Sequence, residues 1–305
     1  MDKYAPYIAG VGFATIFGFS FLFTREALDH IAPFHLLGLR FATAATAMGL
    51  LRLAGVLRFK VSLSGAVALL PLAAFQPLMY FACETIGVQL TSASQAGMMI
   101  AVVPVFVAIL AALVLKEPPK ARQLPFIILS VAGVLFIALM QNSNLSGHTL
   151  GTLALLGAVF AGACYSIASR HAARTFTPLQ TTWVMMVIGA VVFNAVALMQ
   201  HLFAGNLAQY FAPMPVVWPA VAYLGLLSSV VAFFLINFSL SRLTAPQSAV
   251  FANLVTVIAV AAGVVLRGED FFWYHALGAT AIILGVWGTN HFGRQVHATK
   301  IKPSA

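Results

Sequence analysis

The chain has 305 residues, 61% of them apolar and only 8% charged, with a formal net charge of +9. Soluble domains carry roughly 25% charged residues, so this composition excludes a water-soluble enzyme or scaffold and indicates a protein immersed in lipid. The two cysteines, Cys83 and Cys164, both fall inside apolar stretches, which leaves no disulfide framework and no metal-ligating His/Cys spacing.

A membrane-spanning helix needs about 20 mostly apolar residues. Ten such stretches run at approximately 5–24, 34–53, 66–88, 92–115, 123–141, 150–170, 179–200, 216–238, 245–266 and 275–292. Helices are the expected element, because lipid offers backbone groups no partner outside their own segment. Only 141–149 and 201–215 are loops of any size, too short for a soluble catalytic domain. The first stretch is expected to remain as a helix. Its charged flank is the single Lys3, and Arg25-Glu26 stand where a leader would have a small-residue cleavage site.

The chain also repeats itself. Ala93, Gln95, Pro104 and Glu117 correspond to Ala245, Gln247, Thr256 and Glu269 at an offset of 152, and Gly12, Arg25 and Pro33 to Gly157, Arg170 and Pro178 at an offset of 145. Each copy holds five stretches, an odd number, so the second enters the bilayer from the opposite face. The expected fold is all-α and integral to the membrane, with ten transmembrane helices in two inverted five-helix repeats around a central cavity. The units are 1–145 and 146–295, followed by a tail at 296–305. Inverted repeats of this kind build transporter sites between their halves.

With the N-terminus in the cytoplasm, the inner segments hold thirteen of the sixteen Lys and Arg residues, and the outer segments only Arg25 and Arg267. That bias places both termini in the cytoplasm. The positive balance therefore reports orientation and contact with anionic lipid heads, not a nucleic-acid partner.

Ionisable residues within spans are costly and face a cavity or a partner. Arg40 lies in the second span. Gln76, Tyr80 and Glu84 recur every four residues in the third, which places them on one helix face. Arg40 and Glu84 either neutralise each other as structural groups or serve the cavity, and Glu84 either couples proton movement or tunes a vestibule. In the eighth span Ser229, Phe233, Asn237 and Ser241 share the same spacing. Asn237 is expected on a cavity wall, although such groups also join helices by hydrogen bonds.

The fourth and ninth spans open on polar runs containing Gln95 and Gln247 at equivalent places. Helix N-termini carry free N–H groups and partial positive charge, so two meeting ends could hold a carboxylate. Ordinary capping is the competing account. Met98, Met99, Phe251 and Asn253 add soft and polar lining. Pro77 and Pro104 lie inside spans, where proline produces kinks that could act as bending points.

With those residues in place, the chain resembles the drug/metabolite transporter superfamily, specifically its EamA-type members, over roughly 5–292. Phe17-Gly18-Phe19-Ser20-Phe21 is similar to the Trp-Gly-x-Ser/Asn-Phe pattern of the first helix, with Phe17 in place of Trp. Pro33 with Arg40-Phe41, Pro104 with Lys116-Glu117, and Ala163, Tyr165 and Arg170 resemble further family patterns. Gly162 stands where the family often has Trp, and Thr256 where the second copy commonly has Pro. The nearest resemblance is to the YddG-type amino-acid exporters. It implies a cavity shared by both halves, touched by Phe17 and Tyr165, and transport of small metabolites across the inner membrane.

A transporter of phosphorylated sugars would present several Lys or Arg to its cargo, and the spans offer only Arg40; a polycation exporter would need carboxylates beyond Glu84. A neutral or zwitterionic small molecule fits, with neutral and aromatic amino acids first, exported by alternating access from a monomer without cofactors. The alternative is a multidrug or toxic-metabolite exporter. An intramembrane enzyme is the remote third reading, since it needs a nucleophile–base pair or metal ligands. His275 and His291 are about 24 Å apart at 1.5 Å per residue, too far to share a site.

Overall fold

Apolar backbone in lipid must close its hydrogen bonds within each segment, and the described residues of this chain are mostly helical. A computed structural model describes residues 4–90, 99–140, 149–212, 214–267 and 270–293, which are helical and contain no strand. We number the segments α1 (Ala5–Leu28), α2 (Pro33–Leu53), α3 (63–90), α4 (Val103–Leu115), α5 (Leu124–Met140), α6 (Thr149–Ala172), α7 (Pro178–Phe203), α8 (Pro215–Arg242), α9 (245–267) and α10 (Trp273–His291). Six stretches are each long and apolar enough to cross a bilayer: α1, α2, α6, α7, α8 and Ala245–Ala262 of α9. Side chains such as Phe203 (89% exposed) and Val265 (79% exposed) face outward, as a lipid-facing surface requires.

Local chemistry sets the helix ends. Pro33 and Pro178 start α2 and α7, where a missing N–H costs nothing. Thr177 and Gln180 close a reciprocal cap at the start of α7. Lys116, with φ of 56°, ends α4 in the left-handed conformation.

The helix α3 is not continuous. Gln76 is extended, with φ −149° and ψ 120°, because the ring of Pro77 disfavours the helical region for the residue before it. The expected unbroken stripe of Gln76, Tyr80 and Glu84 is therefore a helical pair, Tyr80 and Glu84, preceded by a residue outside the helix. Pro104 behaves differently. It occupies the first turn of α4, where proline is tolerated without a kink.

Helix packing interleaves the first five segments with the last five. The helix α1 packs on α8 and α9, and α6 packs on α3 and α4, while α2 lies along α7 and α5 along α10. Advancing every number by five, cyclically, returns the same set of pairs. The α5–α10 contact is a close one. A Cβ built at Gly285 would lie 2.6 Å from both the Phe126 carbonyl oxygen and the Ser130 amide nitrogen, so small residues here let two backbones nearly touch.

Candidate functional site

The interleaved helices enclose a cavity of about 110 Å³. Phe13, Phe17, Ser20 and Thr24 line it from α1, Arg40 from α2, and Gln76, Tyr80, Phe81 and Glu84 from α3. Gly162, Tyr165 and Ser166 of α6, Leu240 of α8, and Ser248 and Thr256 of α9 complete much of the wall. Of the residues expected at the site, Phe17, Arg40, Gln76, Tyr80, Glu84 and Tyr165 meet there. The spacing of the four α1 residues traces one helical stripe, which is the signal by which Phe13, Ser20 and Thr24 were legible but not singled out.

Arg40 is 4% exposed and held on three sides. Its Nε donates to Ser229 Oγ at 2.8 Å and its Nη2 to Ser228 Oγ at 2.9 Å. Its guanidinium carbon lies 4.3 Å from the centre of the Phe81 ring, a favourable cation–π geometry. Among the described residues Arg40 and Glu84 form no direct ion pair, so the cavity holds a guanidinium and a carboxyl group that are not bonded to each other. Elsewhere the wall combines aromatic and aliphatic side chains with the Gln76 amide and the hydroxyls of Ser20, Thr24, Ser166, Ser248 and Thr256. Gly162 is also explained, because a Cβ there would stand 3.3 Å from the Tyr80 ring.

Several expected residues stand behind the lining. Phe233 is buried, with its ring edge-on to Phe17, Phe81 and Tyr165 at centroid distances of 5.8, 5.9 and 6.3 Å. Asn237 accepts from Tyr165 Oη at 2.9 Å and Ser169 Oγ at 2.6 Å, and donates to Thr182 Oγ1 at 3.0 Å. These bonds bind α6, α7 and α8, so Asn237 joins helices and does not contact the cavity. Gln247 caps α9, accepting from Thr244 Oγ1 at 2.9 Å. Phe251 packs edge-on to Phe13 at 6.4 Å, and Asn253 donates to Ser130 Oγ at 3.0 Å across the α9–α5 contact. Met99 packs among apolar neighbours outside the lining. Gln95 and Met98 lie outside the described residues, as does the expected meeting of two helix N-termini that rests on Gln95.

The Asn237 network yields a test of packing. Asn237→Leu keeps the branching and heavy-atom count and strands the hydroxyls of Tyr165, Ser169 and Thr182. At roughly 0.6–1 kcal/mol per interhelical bond, the loss should be about 2 kcal/mol, read as a lowered midpoint of thermal inactivation in detergent. An unchanged midpoint would mean that these bonds contribute nothing to helix association.

Among the described residues, apolar helices packed around a part-polar and part-aromatic cavity are the build of a multi-pass membrane protein. The chain belongs to the EamA-like transporter family, whose pattern matches residues 5–139 and again 149–290. It is 38% identical over 287 residues to the uncharacterized transporter YcxC of Bacillus subtilis (strain 168), covering 93% of this chain and 92% of the relative. It is 27% identical over 290 residues to the uncharacterized transporter YyaM of the same organism, covering 92% of each. A protein crystal structure 18% identical to the chain superimposes with a TM-score of 0.75, over 95% of this chain and 99% of the other. At that identity the likeness concerns the fold alone.

Proposed function

We propose that the chain exports small neutral or zwitterionic metabolites, foremost neutral and aromatic amino acids, across the inner membrane by alternating access. The observation that carries this reading is the cavity wall itself. One guanidinium and one carboxyl group, not paired with each other, stand among aromatic, aliphatic, hydroxyl and amide side chains. Arg40 matches a carboxylate, Glu84 an ammonium group, and Phe13, Phe17, Tyr80 and Phe81 an apolar side chain. A substrate with several phosphates would find one cation where it needs more.

In this reading the chain forms two five-helix units, 1–145 and 146–295, with a cytoplasmic tail at 296–305. It works as a monomer, because the cavity lies within one chain, and the excess of basic residues in alternate connections supports termini in the cytoplasm. The test is counterflow in proteoliposomes preloaded with unlabelled amino acids. Radiolabelled phenylalanine or leucine should accumulate transiently against a control without protein. No movement of any amino acid in either direction would refute the amino-acid reading. A second reading, export of apolar drugs or toxic metabolites, draws on the same aromatic wall. It predicts that cationic dyes compete with amino acids for the site.

A further inference from the structure

Arg40 faces the cavity, but its guanidinium is held from behind the wall. Nε donates to Ser229 Oγ at 2.8 Å and Nη2 to Ser228 Oγ at 2.9 Å. Both serines are 0% exposed and stand outside the lining to which Arg40 belongs. The ring of Phe81, centred 4.3 Å from the guanidinium carbon, covers one face of the group. Two hydroxyls and a ring leave it little freedom to turn.

Consecutive side chains on an α-helix diverge around its axis, which makes two adjacent residues poor partners for one group. The stretch Tyr223–Val231 of α8 is instead wound as a π-helix, the wider i→i+5 form that is rare and recurs at functional sites. Gly225, one turn before the serines, lets this stretch lie against α2. A Cβ there would stand 2.8 Å from Thr43 and 3.1 Å from the carbonyl oxygen of Arg40 itself. The offset of 152 that pairs Phe81 with Phe233 sets Ser228 and Ser229 against Gln76 and Pro77, in the broken stretch of α3. The offset of 145 sets Arg40 against Met185 of α7. One helix pair is thus joined through a cation gripped by two hydroxyls, and its counterpart, α7 against α3, packs with a thioether, an amide and a proline ring at those places. Joining these helices does not require a buried charge, so the charge of Arg40 serves the cavity.

A guanidinium offers a planar anion two edges, Nε with Nη2 and Nη1 with Nη2. The serines take the first. We infer that Ser228 and Ser229 are positioning residues that turn the second edge into the cavity, and that the cavity thereby selects substrates bearing a free carboxylate. Two coplanar oxygens match two parallel N–H donors. A carboxamide of the same shape offers one oxygen and sets its own N–H donors against the other nitrogen. The inference deepens the transport reading and rests on it for its purpose, but the recognition is measured as binding, without transport.

Purified protein in detergent near neutral pH is titrated with phenylalanine and phenylalaninamide, and with hydrocinnamate and hydrocinnamamide, which lack the amino group. Binding is read as thermal protection. The native chain should bind each acid about tenfold more tightly than its amide, as a hydrogen bond to a charged group implies. Ser228→Ala/Ser229→Ala should weaken both acids about tenfold, leave both amides unchanged and so erase the preference. Should the double variant fail to insert, Ser229→Ala alone removes the Nε bond and should lower the preference by a smaller factor. Acid and amide weakened alike would mean that the serines only pack, and would overturn the positioning role. So would a preference that survives in the double variant. Equal binding of acid and amide by the native chain, or binding of neither acid, would overturn selection of a carboxylate. Counterflow separates this from the cargo. If every amino acid failed in counterflow while the preference for hydrocinnamate held, the amino-acid reading would fall and the carboxylate site would stand. Counterflow of phenylalanine with the preference unchanged in the double variant would do the reverse.

Discussion

Arg40→Met should raise the half-saturating concentration of a zwitterionic substrate about 10- to 100-fold while leaving the protein folded. A hydrogen bond to a charged group contributes about 1.5–3 kcal/mol, and every 1.4 kcal/mol is tenfold in affinity. Arg40 is the cavity's one guanidinium among its lining residues. Its removal also frees Ser228 and Ser229, whose hydroxyls can turn back to carbonyls of their own helix, so stability should suffer less than recognition. Arg40→Lys should fall between, because a compact ammonium cannot reproduce bonds from Nε and Nη2 to two adjacent serines. Counterflow at graded substrate concentrations, with substrate-induced thermal protection as an independent readout, checks both variants. If Arg40→Met transported with unchanged affinity, Arg40 would be a structural group and the zwitterion reading would lose its anion site.

The second large effect concerns folding. Gly285→Ala should cost about 3 kcal/mol or more, because the added methyl would meet backbone at 2.6 Å on two sides, Phe126 O and Ser130 N. Backbone atoms cannot swing away as a side-chain tip can, so α5 and α10 would have to separate and give up their shared packing. Gly49→Ala provides the contrast. Its Cβ would lie 3.6 Å from the Trp183 ring, an ordinary contact, and alanine is favoured over glycine inside a helix by roughly 0.5–1 kcal/mol. Expression level and thermal inactivation in detergent should separate the two variants clearly. Equal stability for Gly285→Ala and the native chain would show that this helix contact is looser than described.

Helix positions were legible because lipid enforces a simple pattern of long apolar runs ended by Pro, Thr or Lys. The break in α3 was legible in kind, since Pro77 restricts Gln76, but reading a four-residue stripe through a proline assumed a helix that the ring does not permit. Tyr80 and Glu84 were readable as cavity residues because a span has few places for a phenol and a carboxylate. Asn237, Gln247 and Asn253 show the limit of that reasoning. An amide in a span can meet a cavity or a neighbouring helix with equal satisfaction, and spacing along one helix does not say which partner crosses behind it. Ser20, Thr24 and Ser248 were overlooked for the opposite reason. They are small and common, and their place on the wall depends on what the larger groups around them leave empty.

The interleaved packing has a consequence for biogenesis. The main neighbours of α1 are α8 and α9, and those of α2 and α5 are α7 and α10. A nascent polypeptide that has released only its first five helices into the bilayer therefore lacks the partners those helices require. Lipid, or an insertion chaperone, must shield Arg40 and Glu84 until the later helices emerge. Assembly of these pairs is consequently late, and only once α10 emerges can it complete the contact with α5 that the glycines keep so close.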